Sequence, residues 1–419
     1  MKVNANFNSN KDRLVAQYRL GTEKALEQAD FLNTPDITAL QALAIYISVL
    51  QHTGEAKPAW LLAGVLVRVG LSMKLHRDGS HFANITTFEA EMRRRLWWQI
   101  CFIDSRSEDF QVSEYKISEN MFDTKVPTNT DDANLVLEMS HSAVAAEGWT
   151  GMTIFLVRCE VWKLSRQLQS NSATSSLHNL DRKLELFQQS QKRIENTYLK
   201  HLNPNQPLHS FLATSTRLFA TKVELILYAK RHGCTAQPFE TLQSDKLFIS
   251  SLPIIEYTHA LQNESTWSGW SWQTQGRHPP WQALCFVLNQ LCTRSWEPIC
   301  EKALLSAKRS LGSIPDAARS DPRYQQLLTL TSAVQRRMDE HHHQVSGDAT
   351  FIAASNLPDP TTQVSSSGST PSWTSQEPFL DMTDNPDNSN FSSDLGREMD
   401  WQVWDEIAGD LEFWDIGGL

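Results

Sequence analysis

Apolar residues recur every three or four positions along most of the chain up to about residue 345. Leu40, Leu43, Ala44 and Ile47 show this spacing, which places them on one face of a helix. No alternating run of β-branched residues extends beyond a few positions, and glycine and proline are sparse before residue 346. The pattern therefore predicts an all-α body.

We predict about ten helices in this body, bounded by changes in periodicity and by capping signals. Thr34-Pro35-Asp36 is a helix start in which proline supplies the first helical φ and aspartate complements the dipole. Thr86 and Glu89 have the spacing of a capping box. The helical stretches cover roughly residues 11–30, 37–50, 60–71, 88–112, 141–170, 178–202, 208–232, 238–263, 279–311 with a break near Ser295 to Pro298, and 320–343.

Charge and composition change at about residue 346. The segment from Ser346 to Leu419 contains 14 acidic residues and one basic residue, which gives it a charge of −13. Residues 1–345 carry +3, so the net charge of the whole chain is −10. Residues 346–398 are rich in Ser, Thr, Pro and Asp, and such a segment buries too little apolar surface to offset its chain entropy. We predict a helical domain over 1–345 and a disordered linker over 346–398.

The last segment, residues 399–419, has an amphipathic pattern. Its apolar positions at helical spacing are Trp401, Trp404, Ile407, Leu411 and Trp414. Acidic residues occupy the opposite face, a composition typical of activation regions that fold in a partner's groove. We predict an activation helix here, with docking of the same stripe onto the body as the alternative.

Motifs for common enzyme classes are missing from the sequence. It contains no G-x-G-x-x-G, G-x-x-x-x-G-K-[ST], H-E-x-x-H or G-x-S-x-G. Leu75-His76-Arg77-Asp78 resembles a kinase catalytic loop only superficially, because Ala83 stands where the magnesium-binding Asn is required. The cysteines form no C-x-x-C pair and the run His341 to His343 lacks a ligand set. We assign no catalytic residue, cofactor or metal.

Charge and hydropathy also bear on partners and compartment. A net charge of −10 argues against a chain whose whole surface binds phosphates. No run of 18 apolar residues exists, and the N-terminus is polar where a signal peptide would be apolar. We expect a chain that is neither membrane-spanning nor secreted.

The stretch from Glu89 to Trp98 combines acids, arginines and tryptophans. Glu89 precedes Arg93, and Glu91 precedes Arg95, by four residues, which is favourable ion-pair spacing on a helix. The three adjacent arginines are thus balanced locally and do not form a nucleic-acid patch. We predict a buried helix flanked by an ionic network.

Four blocks of sequence in order carry a family resemblance. They are 38–43, 70–78 (Gly-Leu-Ser-Met-Lys-Leu-His-Arg-Asp), 88–100 with Asp104 after it, and 122–135. Together they resemble the middle homology region of fungal zinc-cluster transcription factors. The motif residues are His76, Arg77, Asp78, Glu89, Glu91, Arg93, Arg94, Arg95, Trp97, Trp98 and Asp104. The resemblance implies an all-α domain that binds no catalytic cofactor and restrains or relays activation.

One departure from that family concerns DNA binding. Its members usually begin with six closely spaced cysteines that hold a zinc cluster, whereas the first cysteine here is Cys101. Direct sequence-specific DNA binding by this chain is therefore not expected. Either the chain acts through partners, namely a DNA-binding protein and a coactivator or the transcription machinery, or it derives from a shortened gene model. The resemblance implies a nuclear location.

Two functions remain open at this stage. The first is a fungal transcriptional regulator without its own DNA reader, acting through the helical domain and the acidic tail, with a metabolic or biosynthetic gene set as its target. The second is an all-α enzyme or small-molecule-binding protein that retains the regulatory scaffold. A cavity with convergent polar groups would favour the second, and a closed, apolar-packed body would favour the first.

Overall fold

A computed structural model describes residues 10–33, 36–53, 55–105, 117–137, 143–170, 177–233, 241–270 and 279–354. These residues form α-helices, short 3₁₀ turns and loops, and no strand occurs among them. The prediction of an all-α fold is confirmed. The predicted helix within 399–419, with Trp401 and Trp404, lies outside the described residues.

Eleven α-helices occur in the described part of the chain. Their bounds are α1 Lys11–Gln28, α2 Ile37–His52, α3 Ala56–Ser72, α4 Thr87–Ser105, α5 Thr153–Ser170, α6 Leu177–Thr197, α7 Pro207–Gly233, α8 Thr241–Asn263, α9 Trp281–Thr293, α10 Pro298–Gly312 and α11 Pro322–Ala354. None of these helices is long and apolar enough to cross a membrane.

Side-chain caps fix several helix starts. Asp36 is the N-cap of α2 and accepts a hydrogen bond from the Ala39 amide at 2.7 Å. Thr86 Oγ1 accepts from the Glu89 amide at 3.2 Å at the start of α4. Such bonds satisfy amides that have no partner within the helix. Capping therefore sets both starts. Asp36 is itself extended, with a φ of −120°, so α2 begins at Ile37 and the prediction of a first helical residue at Pro35 is wrong.

The predicted helix over 141–170 is wrong in its first third. Residues 143–152 are irregular, and α5 begins only at Thr153. Gly148 has a φ of +108°, which is incompatible with a right-handed helix. The amide of Thr150 donates to Thr153 Oγ1 at 2.9 Å. Local hydrogen bonds of this kind compete with helix formation, so α5 starts later than the periodicity predicts.

At the other end of the body, α11 runs past the predicted limit of residue 343 to Ala354. Extending an existing helix adds one hydrogen bond per residue and needs no new nucleation step, which favours the continuation of α11 beyond residue 343. The break predicted near Ser295 to Pro298 is confirmed. There α9 ends at Thr293 and Pro298 opens α10.

The described helices belong to two compact units. The first contains α1 to α8 and the second α9 to α11. In the first, α2, α3 and α4 share an apolar core with residues of α5. Its fully buried members include Leu40, Ile47, Leu66, Ile100 and Cys159.

The second unit is a three-helix arrangement with its own core. Leu288 of α9, Ala307 of α10 and Val334 of α11 are fully buried. Arg337 donates to the carbonyl oxygens of Leu291 and Arg294, each at 2.7 Å. These bonds satisfy carbonyls at the C-terminal end of α9, where the helix has no partners of its own.

The start of α7 holds a histidine that links stability to pH. The ring of His209 packs against Trp149 with centroids 4.0 Å apart and planes tilted by 39°, and its Nδ1 accepts from the Asn203 amide at 2.9 Å. Burial lowers the pKa of His209 below its usual value. Only the neutral imidazole can accept this hydrogen bond, so the folded protein favours it.

We expect the free energy of unfolding to fall as the pH drops below about 6.5, the unperturbed histidine value. The unfolded chain takes up the His209 proton at a higher pH than the folded chain does, so the stability present above that pH is lost on acidification. His209→Asn keeps an acceptor without a titration, and we expect it to weaken the pH dependence. Urea unfolding of both proteins from pH 8 to 5 measures this, and an identical slope for the two would contradict it.

Candidate functional site

The predicted motif residues lie on three segments that the fold brings together. These are the loop at residues 73–81, the helix α4, and the segment at 117–137. That segment is called the extended chain below, although it includes short 3₁₀ turns at Glu119–Met121 and Asp132–Asn134. The loop leaves α3 through Lys74, whose φ is +57°. The extended chain crosses α4 and lies against the loop, as the hydrogen bonds below show.

A buried ion pair joins the loop to α4. Asp78 is fully buried, and the side chain of Arg94 is 11% exposed. Arg94 Nε donates to Asp78 Oδ2 and Arg94 Nη2 donates to Oδ1, both at 2.8 Å. This two-bond geometry matches the planar guanidinium to the carboxylate, an arrangement that lysine cannot make.

Three further hydrogen bonds complete the shell of Asp78. Its oxygens accept from the Ser80 amide at 3.1 Å, the Ser80 hydroxyl at 2.7 Å and the Lys125 amide at 2.9 Å. Burial alone would raise the pKa of Asp78, but the bonds from Arg94, Ser80 and Lys125 outweigh it and hold that pKa well below its usual range. The same pairing raises the pKa of Arg94. The carboxylate is thus kept ionised as a structural anion.

Asp123 holds the loop and the extended chain together from the other side. Its Oδ1 accepts from the Asp78 amide at 2.8 Å, and its own amide donates to the His76 carbonyl at 3.1 Å. Arg77 donates to Asp123 Oδ2 at 3.1 Å, while Thr124 Oγ1 donates to the Leu75 carbonyl at 2.7 Å. Asp123 and Thr124 are absent from the predicted site residues, although both lie in the fourth block of the resemblance.

Glu91 and Arg95 fix the next part of the extended chain. Glu91 Oε1 accepts from the Thr128 amide at 3.1 Å and Oε2 from the Thr128 hydroxyl at 3.2 Å. Arg95 Nε donates to Glu91 Oε1 at 3.3 Å, and its Nη1 donates to Asp132 Oδ1 at 2.6 Å. Glu91 therefore anchors backbone as well as balancing an arginine.

Arg93 occupies a different side of α4. Its Nη2 donates to the Met73 carbonyl at 2.8 Å, and its guanidinium lies 5.8 Å from the ring centroid of Phe82. Glu89 is 4.0 Å away and the more exposed partner. The arginine thus closes the end of α3 against α4 mainly through a backbone carbonyl.

The two tryptophans of α4 are each 1% exposed and pack under the extended chain. Trp98 meets Phe122 and Trp162 edge-on, with centroids 5.6 and 5.5 Å away, and donates from Nε1 to the Lys125 carbonyl at 3.0 Å. Trp97 contacts Phe122 at 5.7 Å and the ring of His76 at 6.0 Å. Burial and the charge of Arg77 lower the pKa of His76.

Asp104 lies near the end of α4 and accepts from the Ile117 amide at 2.8 Å. The structure therefore brings the eleven predicted motif residues together in one region. Ten of them belong to or contact the loop or the extended chain, whereas the contacts of Glu89 within the described residues are with Thr86 and Arg93. We call this region the α4 clamp: it consists of the loop 73–81, α4 and residues 117–132. Its charged side chains point at each other and at backbone groups.

The charged groups of the α4 clamp have a structural role, because they hold segments of the chain together. Its carboxylates are engaged by arginines and amides, which leaves them poor general bases. Within the described residues, no three His, Cys, Asp or Glu side chains are grouped so that they could hold a metal ion. The arrangement fixes an extended segment across a buried helix.

Comparison with protein families bears directly on this region. Residues 2–198, which include the whole α4 clamp, match the fungal specific transcription factor domain. The chain contains a fungal specific transcription factor domain. The clamp lies in the middle of that domain, and the described helices α1 to α6 fall within its bounds.

Curated relatives of this domain are fungal transcription factors by name. The aurofusarin cluster transcription factor aurR2 of Gibberella zeae is 31% identical over 60% of this chain and 38% of its own length. The C6 finger domain transcription factor hasF of Aspergillus fumigatus is 26% identical over 73% of this chain and 43% of its own length. A pyriculol/pyriculariol biosynthesis cluster transcription factor of Pyricularia oryzae is 32% identical over 36% of this chain and 20% of its own length.

The chain thus aligns with less than half the length of these relatives. No solved structure matches it. The residues that form the α4 clamp lie inside the matched region, so the clamp is part of the fungal specific transcription factor domain.

Proposed function

We propose that this protein is a transcriptional regulator that works through its fungal specific transcription factor domain and an acidic activation segment. The observation that carries the proposal is the match of residues 2–198 to that domain. The α4 clamp supports it, because its charged groups are used to hold the chain together. A substrate site would instead direct polar groups at a shared space.

The same reasoning supports a regulator without enzymatic activity. Asp78 and Glu91, the two most buried carboxylates of the clamp, are engaged by arginines and backbone amides. The hydroxyls of Ser80 and Thr128 donate to these two carboxylates, but the arginines and amides that already engage Asp78 and Glu91 make both of them poor bases for those hydroxyls. The function proposed here therefore requires protein partners and no cofactor.

The target is proposed to be a biosynthetic gene set, with the protein acting in the nucleus. Support comes from two relatives: aurR2 is named for an aurofusarin cluster, and the Pyricularia oryzae factor is named for a pyriculol/pyriculariol biosynthesis cluster. We propose that a DNA-binding partner brings the chain to its genes. The acidic tail then recruits a coactivator or the transcription machinery.

The activation segment is proposed at residues 399–419. Trp401 and Trp404 begin its apolar stripe, and aromatic residues of this kind commonly dominate helix-in-groove binding. Aspartates and glutamates on the other face keep the segment in water until a partner groove accepts it. This proposal rests on the sequence pattern.

Fusing the full chain to an unrelated DNA-binding domain tests the activation segment. We expect reporter output from the intact fusion and loss of most of it with Trp401→Ala plus Trp404→Ala, since buried interface tryptophans often contribute ~2 kcal/mol each, or roughly thirtyfold in affinity. Trp373→Ala is the matched control, because it removes a tail tryptophan outside the stripe. A silent intact fusion at comparable expression would defeat the proposal.

A further inference from the structure

The outer surface of the loop at residues 73–81 carries a serine hydroxyl that reaches a buried carboxylate. Ser80 is exposed, yet its Oγ donates to Oδ1 of Asp78 at 2.7 Å, and its amide donates to the same oxygen at 3.1 Å. Asp78 is itself fully buried in its pair with Arg94. A chemical change at Ser80 Oγ therefore acts directly on the centre of the α4 clamp.

An arginine lies three residues before this serine. The spacing R-x-x-S/T occurs twice in the sequence, as Arg77 with Ser80 and as Arg19 with Thr22. The Arg77 side chain is 52% exposed, and its partner Asp123 is 43% exposed. A pair this exposed contributes little stability, so the guanidinium is available to another carboxylate. Kinases that select an arginine at this position bind it through carboxylates, which match its planar guanidinium.

We propose that Ser80 is a phosphorylation site for an arginine-directed serine kinase, and that the phosphate opens the α4 clamp. In the transfer, Ser80 Oγ bonds to the γ-phosphorus of ATP, whose bond to the β,γ-bridging oxygen breaks. The hydroxyl proton passes to a base of the kinase, and ADP leaves. The proposal rests on the geometry of the α4 clamp and is independent of the proposed function.

Two changes at Ser80 act against the closed clamp. The ester oxygen has no proton, so the hydrogen bond that the hydroxyl donates to Asp78 is lost. The phosphate also carries about −1.5 to −2 charges at pH 7, and it lies beside a carboxylate that Arg94 keeps ionised. Like charges this close repel strongly where protein surrounds one of them in place of water. The closed arrangement of Ser80 on Asp78 is therefore disfavoured.

The loop has no room to accept the phosphate on its inner side. Gly79 is buried, and a Cβ built there would lie 2.6 Å from the Cβ of Ala90 and 2.7 Å from its Cα. The backbone next to Ser80 therefore rests directly on α4. On the outer side, His81 and Ala83 are exposed. The phosphate must turn toward that side, and this movement draws the loop away from α4.

Kinase access requires the loop to open for a short time. The residues around Ser80 form a 3₁₀ turn of three residues, Gly79–His81. In this turn the His81 amide donates to the Asp78 carbonyl at 3.1 Å. A short 3₁₀ turn at the surface opens locally at a lower free energy than a buried helix. A kinase that binds the open form and a phosphate that opposes closure shift the population in the same direction.

Thr22 is the matched control, because it has the same sequence spacing in a different setting. It lies within α1, is half-buried, and its Oγ1 donates to the Tyr18 carbonyl at 2.9 Å. Arg19 before it donates to Glu23 at 3.1 Å and to Glu55 at 2.6 Å. Opening this site requires unwinding α1 in its middle. We therefore expect no phosphate at Thr22.

Phosphorylation of the full chain in vitro tests the site. The probe is calmodulin-dependent protein kinase, which selects R-x-x-S, with Mg²⁺ and ATP, and mass spectrometry of tryptic peptides locates the phosphate. We expect phosphate on Ser80 and none on Thr22, and Ser80→Ala should abolish the incorporation. Arg77→Gln should slow it at least about tenfold, as for the loss of one charge-assisted hydrogen bond. A purely structural Arg77 would have the opposite effect, since its loss loosens the loop.

Amide hydrogen exchange tests the opening of the α4 clamp. The Lys125 amide bonds to Asp78 Oδ2 and the Asp78 amide bonds to Asp123 Oδ1, so the closed clamp protects both. We expect both to exchange at least about tenfold faster after phosphorylation, and phosphatase treatment should restore the original rates. Ser80→Ala loses the hydroxyl without gaining charge, so a smaller increase is expected. Amides of α6, which lies outside the clamp, should be unchanged.

Three results would overturn the proposal. One is the absence of phosphate from Ser80 under conditions that phosphorylate a reference R-x-x-S peptide. Another is incorporation at Thr22 at the same rate, because the sequence spacing would then decide the reaction without the fold. The last is phosphorylated protein whose Lys125 amide exchanges at the rate of the unmodified protein.

Discussion

Replacing Arg94 with alanine is expected to lower the free energy of unfolding by about 3 to 5 kcal/mol. The change removes both bonds to Asp78 and leaves that fully buried carboxylate without its cation. An uncompensated buried charge is costly because protein interiors solvate it poorly. Chemical denaturation of the two proteins at pH 7 measures the difference.

Arg95→Ala is the matched control for Arg94→Ala. Arg95 adjoins Arg94 in sequence, but its strongest partner, Asp132, is 84% exposed. Glu91 would keep its bonds from Thr128 and its contact with Arg94. We expect a loss of only about 1 kcal/mol, as for largely solvated pairs. Equal losses for the two variants would show that burial of Asp78 does not decide the effect.

Replacing Trp98 with alanine is expected to cost a further large amount, about 3 to 5 kcal/mol. The indole is 1% exposed and packs edge-on against Phe122 and Trp162. Its removal leaves a cavity between α4, α5 and the extended chain, and it unpairs the Lys125 carbonyl. Thermal and urea unfolding should both report the loss.

Two phenylalanine variants separate packing from hydrogen bonding. Trp97 is as buried as Trp98, but its Nε1 donates to no described residue. Trp98→Phe loses the bond to Lys125, whereas Trp97→Phe loses no bond of this kind. We therefore expect Trp98→Phe to be the more destabilising by about 1 kcal/mol. A larger effect of Trp97→Phe would contradict the role assigned to the Lys125 carbonyl.

The helices were predictable because their apolar spacing is local. Pro298 marked the break between α9 and α10, and Asp36 marked the start of α2. The segment 143–152 was not predictable in this way, since its apolar residues fit a helix. Its conformation depends on Gly148 and on Asn129, which donates to the carbonyls of Ala146 and Gly148 from a distant part of the chain.

The same distinction applies to the α4 clamp. The pairs Glu89 with Arg93 and Glu91 with Arg95 follow from a spacing of four residues, and the structure places their atoms 4.0 and 3.3 Å apart. The partner of Arg94 did not follow, because Asp78 lies 16 residues earlier in a loop. Likewise Thr128 meets Glu91 across 37 positions. Helical periodicity predicts the buried helix α4, but it does not predict that the loop and the extended chain bind to that helix.

The bond between Asp104 and the Ile117 amide has a consequence for chain length. It holds together the two ends of the interval 106–116 whatever that interval contains. Doubling the eleven residues of such a connection adds only ~0.6 kcal/mol of closure entropy. A longer connection between Ser105 and Ile117 is therefore expected to cost the α4 clamp little stability, because the bond that joins the two ends lies outside the added residues.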